Sequence, residues 1–225
     1  MKAIILAAGY ATRLYPKTLN IPKCLLEYND KPVLDYLIED LINNNILEII
    51  IVSNHKFYDM INNHILKYKY NIKVIDDKSI DEKNRLGAVR DLIFTLNNIK
   101  IDDDYIIMAS DNILTKSLKS FINSYNGNNM IMYYKEYNEE KLKSTGQALF
   151  KGNELIRFYE KSKQLITNNA CPPFYIFNKN TLNIIKNSDL KADSLGLIIG
   201  YLIGKTKIYG YLMKGKRIDI KDILK

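Results

Sequence analysis

Two cysteines, two histidines and no apolar run of membrane-spanning length leave several function classes without their raw material. Cys24 and Cys171 lack any framework spacing, so a disulfide scaffold is excluded, and two free thiols suit a reducing cytosol. His55 and His64 have neither a cysteine nor a second histidine at ligand spacing. That removes a zinc centre, and both read as surface or helix-end residues. The apolar run Ala3 to Ala8 is too short for an export signal and leads into a loop. The expected setting is therefore cytoplasmic, with no membrane partner. Lys and Arg number 33 against 25 Asp and Glu, a net charge of +8. The lysines are nevertheless scattered among Asn, Ile and Tyr, without the stripe or arm that nucleic acid requires, so nucleic acid is not an expected partner. A generally positive surface attracts nucleotides and sugar phosphates as well. No composition shift marks a linker, and 225 residues with 47% hydrophobic content can bury one large core, so residues 1–225 are expected to form a single domain.

What is present is concentrated first in Lys2 to Leu26. Lys2 to Leu6 is short, apolar and bounded by Ala7, Ala8 and Gly9, which reads as a buried parallel strand opening into a loop. Around Gly9 and Ala11 no long side chain shields the backbone N–H groups, and these can point at an anion as they do in phosphate-binding loops. Arg13 and Lys23 add fixed charge. A guanidinium forks onto two phosphate oxygens and an ammonium acts as a point charge, a pair suited to a polyphosphate.

The following segments alternate. Pro32 to Asn44 places Val33, Leu34, Leu37, Ile38, Leu41 and Ile42 on one helical face, and Leu47 to Val52 is a second buried strand. Helix is expected over Met60 to Tyr68 and Leu86 to Leu96, strand over Ile72 to Ile75 and Tyr105 to Ala109. The pattern implies an α/β fold: a Rossmann-like open, mixed, mostly parallel sheet with helices on both faces, and ligands outside the carboxyl ends of the strands. Asp111 follows one such strand end and could hold Mg²⁺ against a triphosphate. As a turn or cap residue it would instead start the helix expected over Leu114 to Ser124. Asp102, Asp103 and Asp104 read as a solvated turn. Met130 to Tyr134 is a further strand, Ser144 to Phe150 and Leu155 to Glu160 an antiparallel pair about Lys151-Gly152-Asn153, and Lys207 to Met213 a late strand. Asp193 and Ser194 read as caps of an apolar helix ending near Gly204.

The stretch LAAGYATRLYPKT followed by PKCLL resembles the signature of the sugar-1-phosphate nucleotidyltransferases, L-A-A/G-G-x-G-T-R-L-x-P-x-T and then P-K. Gly9, Thr12, Arg13, Leu14, Pro16, Thr18, Pro22 and Lys23 match it. Ala11 replaces the second glycine, a tolerable change unless the position needs positive φ. Arg85-Leu86-Gly87-Ala88 matches an R-L-G-A segment beside the nucleotide, with Arg90 a departure. Asp111 matches the aspartate of G-D-N, Ser110 replacing its glycine. Gly146 resembles the first residue of G-V-V, with Gln147 departing, and Glu160-Lys161 matches the E-K of E-K-P. Asn169 to Asn178 corresponds to a short strand near the sugar, with Pro172-Pro173 in place of Thr-Gly. Asp219 resembles the aspartate of D-I-G, with Lys221 replacing the glycine.

The resemblance implies a small antiparallel sugar-binding insertion and transfer of a nucleoside monophosphate from a nucleoside triphosphate to a sugar 1-phosphate, releasing pyrophosphate. It implies nucleotide contacts at Leu6, Ala8, Gly9, Ala11, Thr12, Arg13 and Gly87, and catalytic charge from Arg13 and Lys23. The sugar phosphate falls to Gly146, Glu160 and Lys161, and Mg²⁺ to Asp111 and Asp219. UTP or dTTP with a hexose 1-phosphate such as glucose 1-phosphate is the expected substrate pair, in the manner of the short thymidylyl- and uridylyltransferases. The chain ends soon after Asp219, so the C-terminal extension of longer relatives is not expected, and self-association is left open. The absence of a Ser-His or Cys-His pair is no obstacle, because a phosphate monoester with a second pKa of about 6 is already largely dianionic at neutral pH. Two alternatives stand beside this reading. One is a cytidylyltransferase acting on phosphocholine or another phosphorylated small molecule, with Tyr159 and Tyr175 available for an aromatic cage around a quaternary ammonium. The other is a nucleotide sensor without turnover.

Overall fold

The computed structural model describes residues 1–223. The first half alternates strand and helix: β1 (Lys2–Leu6), a small hairpin of β2 (Glu27–Tyr28) and β3 (Lys31–Pro32), α1 (Val33–Asn43), β4 (Glu48–Ser53), α2 (Tyr58–Ile65), β5 (Asn71–Asp76), α3 (Ala88–Asn98) and β6 (Tyr105–Ala109). Then come β7 (Asn112–Leu114), α4 (Lys119–Asn123), β8 (Asn129–Lys135), α5 (Glu139–Lys143), β9 (Gly146–Lys151), β10 (Glu154–Tyr159), β11 (Asn169–Cys171) and β12 (Phe174–Phe177). The described chain closes with α6 (Lys179–Lys186), α7 (Leu197–Leu202), β13 (Ile208–Leu212), β14 (Arg217–Asp219) and α8 (Ile220–Ile223).

Ten strands form one mixed sheet in the order β11-β9-β10-β13-β8-β12-β6-β1-β4-β5. β1 runs parallel to both β4 and β6, and β4 parallel to β5. Beyond β6 the pairing becomes antiparallel through β12, and β9, β10 and β11 form an antiparallel group at the far edge. Alternate residues of β1 show why helices cover both faces. Ala3 and Ile5 pack in a cluster with Leu34, Ile38 and Leu41 of α1, while Ile4 and Leu6 pack with Val89, Leu92 and Leu96 of α3 and Ile198 of α7. Each fully buried aliphatic side chain contributes roughly 1.5–3 kcal/mol, so β1, lying between two such layers, is the element the sheet is built around. After β5 the chain returns to the other side of β1 to form β6. Connections diverge there, and a crevice opens beyond the carboxyl ends of β1 and β6.

Three local expectations are corrected. The helix expected over Leu114 to Ser124 is confined to Lys119–Asn123, because Asn112–Leu114 pairs as a strand with Arg217–Asp219, Asn112 opposite Asp219. Asn169 to Asn178 is two strands, broken where Pro172 and Pro173 have no N–H to donate. Asp193 and Ser194 do not cap α7, whose N-terminal flanking residue is Gly196 and which has no side-chain cap. Their side chains are recruited elsewhere.

Candidate functional site

The crevice is a cavity of about 500 Å³, lined by each of Leu6, Ala8, Gly9, Ala11, Thr12, Arg13, Lys23, Gly87, Asp111, Gly146, Glu160, Lys161 and Asp219. The side expected to meet the nucleotide begins with the loop after β1. Asn54 donates to the Ala8 carbonyl at 3.0 Å, the Tyr10 hydroxyl to the Ser79 carbonyl at 2.8 Å and the buried Thr18 hydroxyl to the Ala11 carbonyl at 2.8 Å. These bonds hold carbonyls away from the cavity. Among the described residues the backbone N–H groups of Gly9 to Thr12 donate to no main-chain carbonyl. Ala11 has φ 51° and ψ 37°, so the position does need the left-handed region, at a cost of roughly 1–2 kcal/mol for a residue with a Cβ. Arg13 is exposed and has no acidic partner among the described residues, which leaves its guanidinium free for an anion.

Lys23 lies at the centre. Its Nζ is 2.7 Å from Asp111 Oδ2 and 3.4 Å from Asp219 Oδ1. Pairing of β7 with β14 brings the two carboxylates together, and the Ile220 N–H donates to the Asp111 carbonyl at 3.1 Å. Burial raises the Asp219 pKa, but Lys23, Arg217 and Lys221 outweigh it and hold the carboxyl below its ordinary value. Arg217 was not singled out from the sequence. Its Nη2 is 2.5 Å from Asp219 Oδ2, its Nε donates to Asn112 and its Nη1 to Thr145 at 3.3 Å. The strand period of two, which sets residues 217 and 219 on one face, was the signal for it. Among the described residues no group of three or more His, Cys, Asp or Glu side chains could share a metal. Two hard carboxylates already converging on one cation fit Mg²⁺, which binds through one or two carboxylates plus substrate phosphates.

Gly87 flanks α3 at φ 87°, and a Cβ there would lie 2.5 Å from Asp193 Oδ1 and 3.1 Å from its Cα. The missing side chain therefore admits Asp193, whose carbonyl accepts from the Ala88 N–H at 3.2 Å and whose carboxylate pairs with Arg85 at 2.6 Å. Arg90, by contrast, is exposed and away from the cavity. Asp91, which also lines the cavity, and Asp77 are both buried. The Ser79 N–H and hydroxyl both donate to Asp77 Oδ1 at 2.7 Å. Asp77 Oδ2 and Asp91 Oδ1 meet no such donor among the described residues. Each carboxyl group bears on the other, and burial favours the protonated form of both. Burial, and then the Asp77 charge, push Asp91 up to about 8.

On the acceptor side, a Cβ on Gly146 would lie 2.3 Å from Phe158 Cζ, so the ring closes over the glycine. Gln147 is fully buried and accepts from the Ile166 N–H at 2.9 Å while donating to the Gln164 carbonyl at 3.1 Å. It ties down the loop after Glu160-Lys161. Glu160 accepts from the Ser194 hydroxyl and packs so closely on Gly196 that a Cβ there would lie 1.9 Å from its Oε2. Lys161 Nζ, more exposed, is 3.8 Å from Glu160 Oε1. Asp193 to Gly196 thus touches both the nucleotide wall and Glu160, a role the cap reading missed. Tyr175 reaches the cavity but Tyr159 does not, so the aromatic cage of the phosphocholine alternative is not assembled. His55 pairs with Asp76 and His64 with Asp35, both at 2.7 Å and outside the cavity. Both cysteines are free and buried, and burial pushes the Cys24 thiol up to about 12.

The family model described as Nucleotidyl transferase matches residues 2–219. The chain belongs to that family. Mannose-1-phosphate guanyltransferase of Saccharomyces cerevisiae is 27% identical over 231 residues, covering all of this chain and 63% of the yeast protein. The Kluyveromyces lactis protein of the same name is 28% identical over 232 residues, again covering 63% of its length. The chain thus spans about three-fifths of the curated relatives it matches. Among solved structures, a UDP-glucose pyrophosphorylase complexed with UDP-glucose superposes with a TM-score of 0.81 at 19% identity, over 97% of this chain and 92% of that one. That likeness shows the mixed α/β fold, and the family model bears out the resemblance read from LAAGYATRLYPKT.

Proposed function

We propose that this domain is a sugar-1-phosphate nucleotidyltransferase. The observation that carries the reading is Lys23 bridging Asp111 and Asp219 in one cavity, with Arg13 on one wall and Glu160-Lys161 on the other. A phosphate oxygen of the acceptor attacks the α-phosphorus in line, forming one P–O bond as the bond to the β-phosphate breaks and pyrophosphate leaves. The acceptor is already dianionic, so no proton need be removed, and the site's task is alignment and charge neutralisation. The Gly9 to Thr12 loop and Arg13 hold the β- and γ-phosphates, Lys23 meets the α-phosphate, and Lys161 draws in the acceptor phosphate. Glu160, its orientation fixed by Ser194, accepts from sugar hydroxyls. Asp111 and Asp219 would hold Mg²⁺, which supplies Lewis-acid neutralisation of the phosphates.

The names of the curated relatives make GTP and mannose 1-phosphate the first pair to test, ahead of the UTP or dTTP with glucose 1-phosphate read from the sequence. The residues form one domain, and the two unpaired thiols suit a cytoplasmic setting. Among the described residues no helix is long and apolar enough to cross a membrane. The test is a matrix of GTP, UTP, dTTP and CTP against mannose 1-phosphate, glucose 1-phosphate and phosphocholine, read as pyrophosphate release with and without Mg²⁺. Turnover with a sugar 1-phosphate, greatest with GTP, is expected. Release only from CTP with phosphocholine would replace the reading, and binding without release in any cell would leave the sensor alternative.

A further inference from the structure

We propose that Lys23 is a resident cation which occupies the place of the divalent ion until a nucleotide draws it away, so that metal and nucleotide binding are coupled through this one side chain. The inference rests on the reading of Asp111 and Asp219 as metal ligands. Each carboxylate has one oxygen already engaged by the protein. Asp111 Oδ1 accepts from Asn112 Nδ2 at 2.5 Å, and Asp219 Oδ2 is held by Arg217 at 2.5 Å and Lys221 at 3.2 Å. The oxygens left facing the cavity are Asp111 Oδ2 and Asp219 Oδ1, and those are the two that Lys23 Nζ bridges, at 2.7 and 3.4 Å. Asp219 Oδ1 also accepts the Lys221 N–H at 3.1 Å, a backbone bond that leaves a second lone pair. Ammonium and divalent cation therefore compete for the same two oxygens.

The competition is unequal without a nucleotide. Lys23 is mostly buried, its side chain 16% exposed, and Asp219 is more so at 6%. Displacing the ammonium leaves a charge in a low-dielectric pocket with no partner, and that costs far more than at the surface. A triphosphate on the Gly9 to Thr12 loop supplies the missing anion. Lys23 can make the exchange because its backbone is fixed and its stem is not. It begins a short turn, Lys23–Leu25, after Pro22, with Cys24 and Leu25 buried, while four methylenes carry the ammonium. The swap moves positive charge from the carboxylates to the phosphate as the divalent ion takes its place, so both ligands enter with charge balanced. Linkage then requires each to tighten the other by the same factor.

The test measures Mn²⁺ binding to the full chain by the electron paramagnetic resonance signal of free Mn²⁺. In the wild type, Mn²⁺ alone should bind weakly, and GTP without acceptor should tighten the protein's Mn²⁺ site by about tenfold or more, after correction for Mn²⁺ bound to free GTP. In K23M, Mn²⁺ alone should bind about tenfold more tightly than to the wild type, and the tightening by GTP should shrink by a similar factor. K23Q, with a neutral polar head, gives the same comparison if K23M fails to fold, as thermal melting will show. Equal Mn²⁺ affinity in wild type and either folded variant overturns the proposal, as does a wild-type affinity unmoved by GTP. Adding D111N to K23M should abolish the gain. A gain that survives D111N removes the two-carboxylate site on which the proposal stands, and with it the metal reading.

Discussion

The wall of the cavity proposed for the nucleotide and the wall proposed for the acceptor are built differently. The first is drawn largely from β1 and the loop behind it, within the first twenty-odd residues, plus the start of α3. Its backbone is held by local bonds such as Thr18 to Ala11 and by parallel strands flanked by helices on both faces. The acceptor wall is assembled from single residues far apart in sequence, Gly146, Glu160, Pro173, Ser194 and Arg217, brought together by antiparallel strands and loop ties. A phosphate chain is the same for every nucleotide and can be met by a contiguous loop. A sugar presents hydroxyls in several directions, and a surface that meets them must come from several directions too.

The largest expected effect lies where the walls meet. D111N should lower turnover roughly 10²- to 10⁴-fold while the fold survives, the scale of a lost metal contribution of several kcal/mol. Near-normal steady-state turnover at limiting Mg²⁺ in the folded variant would remove Asp111 from the mechanism. Next, E160Q should act on one wall alone. Losing a charged acceptor costs about 1.5–3 kcal/mol, so KM for the sugar phosphate should rise about tenfold or more while that for the triphosphate stays within twofold. Equal changes in both would show that the walls do not act separately.

The third test concerns the nucleotide wall's support. Because the Asp91 pKa is raised to about 8, the folded chain keeps a proton that the unfolded chain releases near pH 4. The pair's contribution to stability is complete below about pH 4 and declines as pH rises toward 8. Asp77, Asp193 and Arg85 are the charged groups bearing on Asp91, and Asp76 bears on Asp77. D91N cannot ionise, so its melting temperature between pH 5 and 8 should fall less steeply than that of the wild type. Parallel profiles would show that Asp91 keeps no proton in the folded chain. The smallest effect is A11G. Relief of the left-handed alanine, roughly 1–2 kcal/mol, is partly offset by the greater freedom of glycine in the unfolded chain, leaving a rise in melting temperature of about 2 °C. A fall would mean that Thr18 and the loop already absorb the strain.

The same contrast governs what could be read without coordinates. β1 and β6 have the expected bounds, and α1 and β4 differ from theirs by about a residue at each end, because a run such as KAIIL carries its own signal of burial on both faces. The loop conformation after β1 was equally legible, down to the conditional concern over Ala11, which its φ of 51° resolves. Legibility ended where a side chain's partner lies far along the chain. Asp193 and Ser194 have the composition of helix caps, yet Arg85 and Glu160 claim them. Leu114 has the period of a helix with Leu118, yet β14 pairs its backbone. Arg217 stood two residues from Asp219 in plain view, but only its bonds to Asn112 and Thr145 show that it joins the two carboxylates to the opposite side of the cavity.

By itself, then, the sequence determined the βαβ frame, the glycine-bounded loop after β1 and the kinds of charge the cavity would hold, since hydrophobic period, glycine placement and motif order are properties of neighbours along the chain. Which charges face each other was decided only by the tertiary structure. Lys23 between Asp111 and Asp219, the charge of Asp77 on Asp91, and Ser194 on Glu160 are interactions across 88, 14 and 34 residues or more. Such contacts depend on strand order, register and loop closure, and no local preference encodes them.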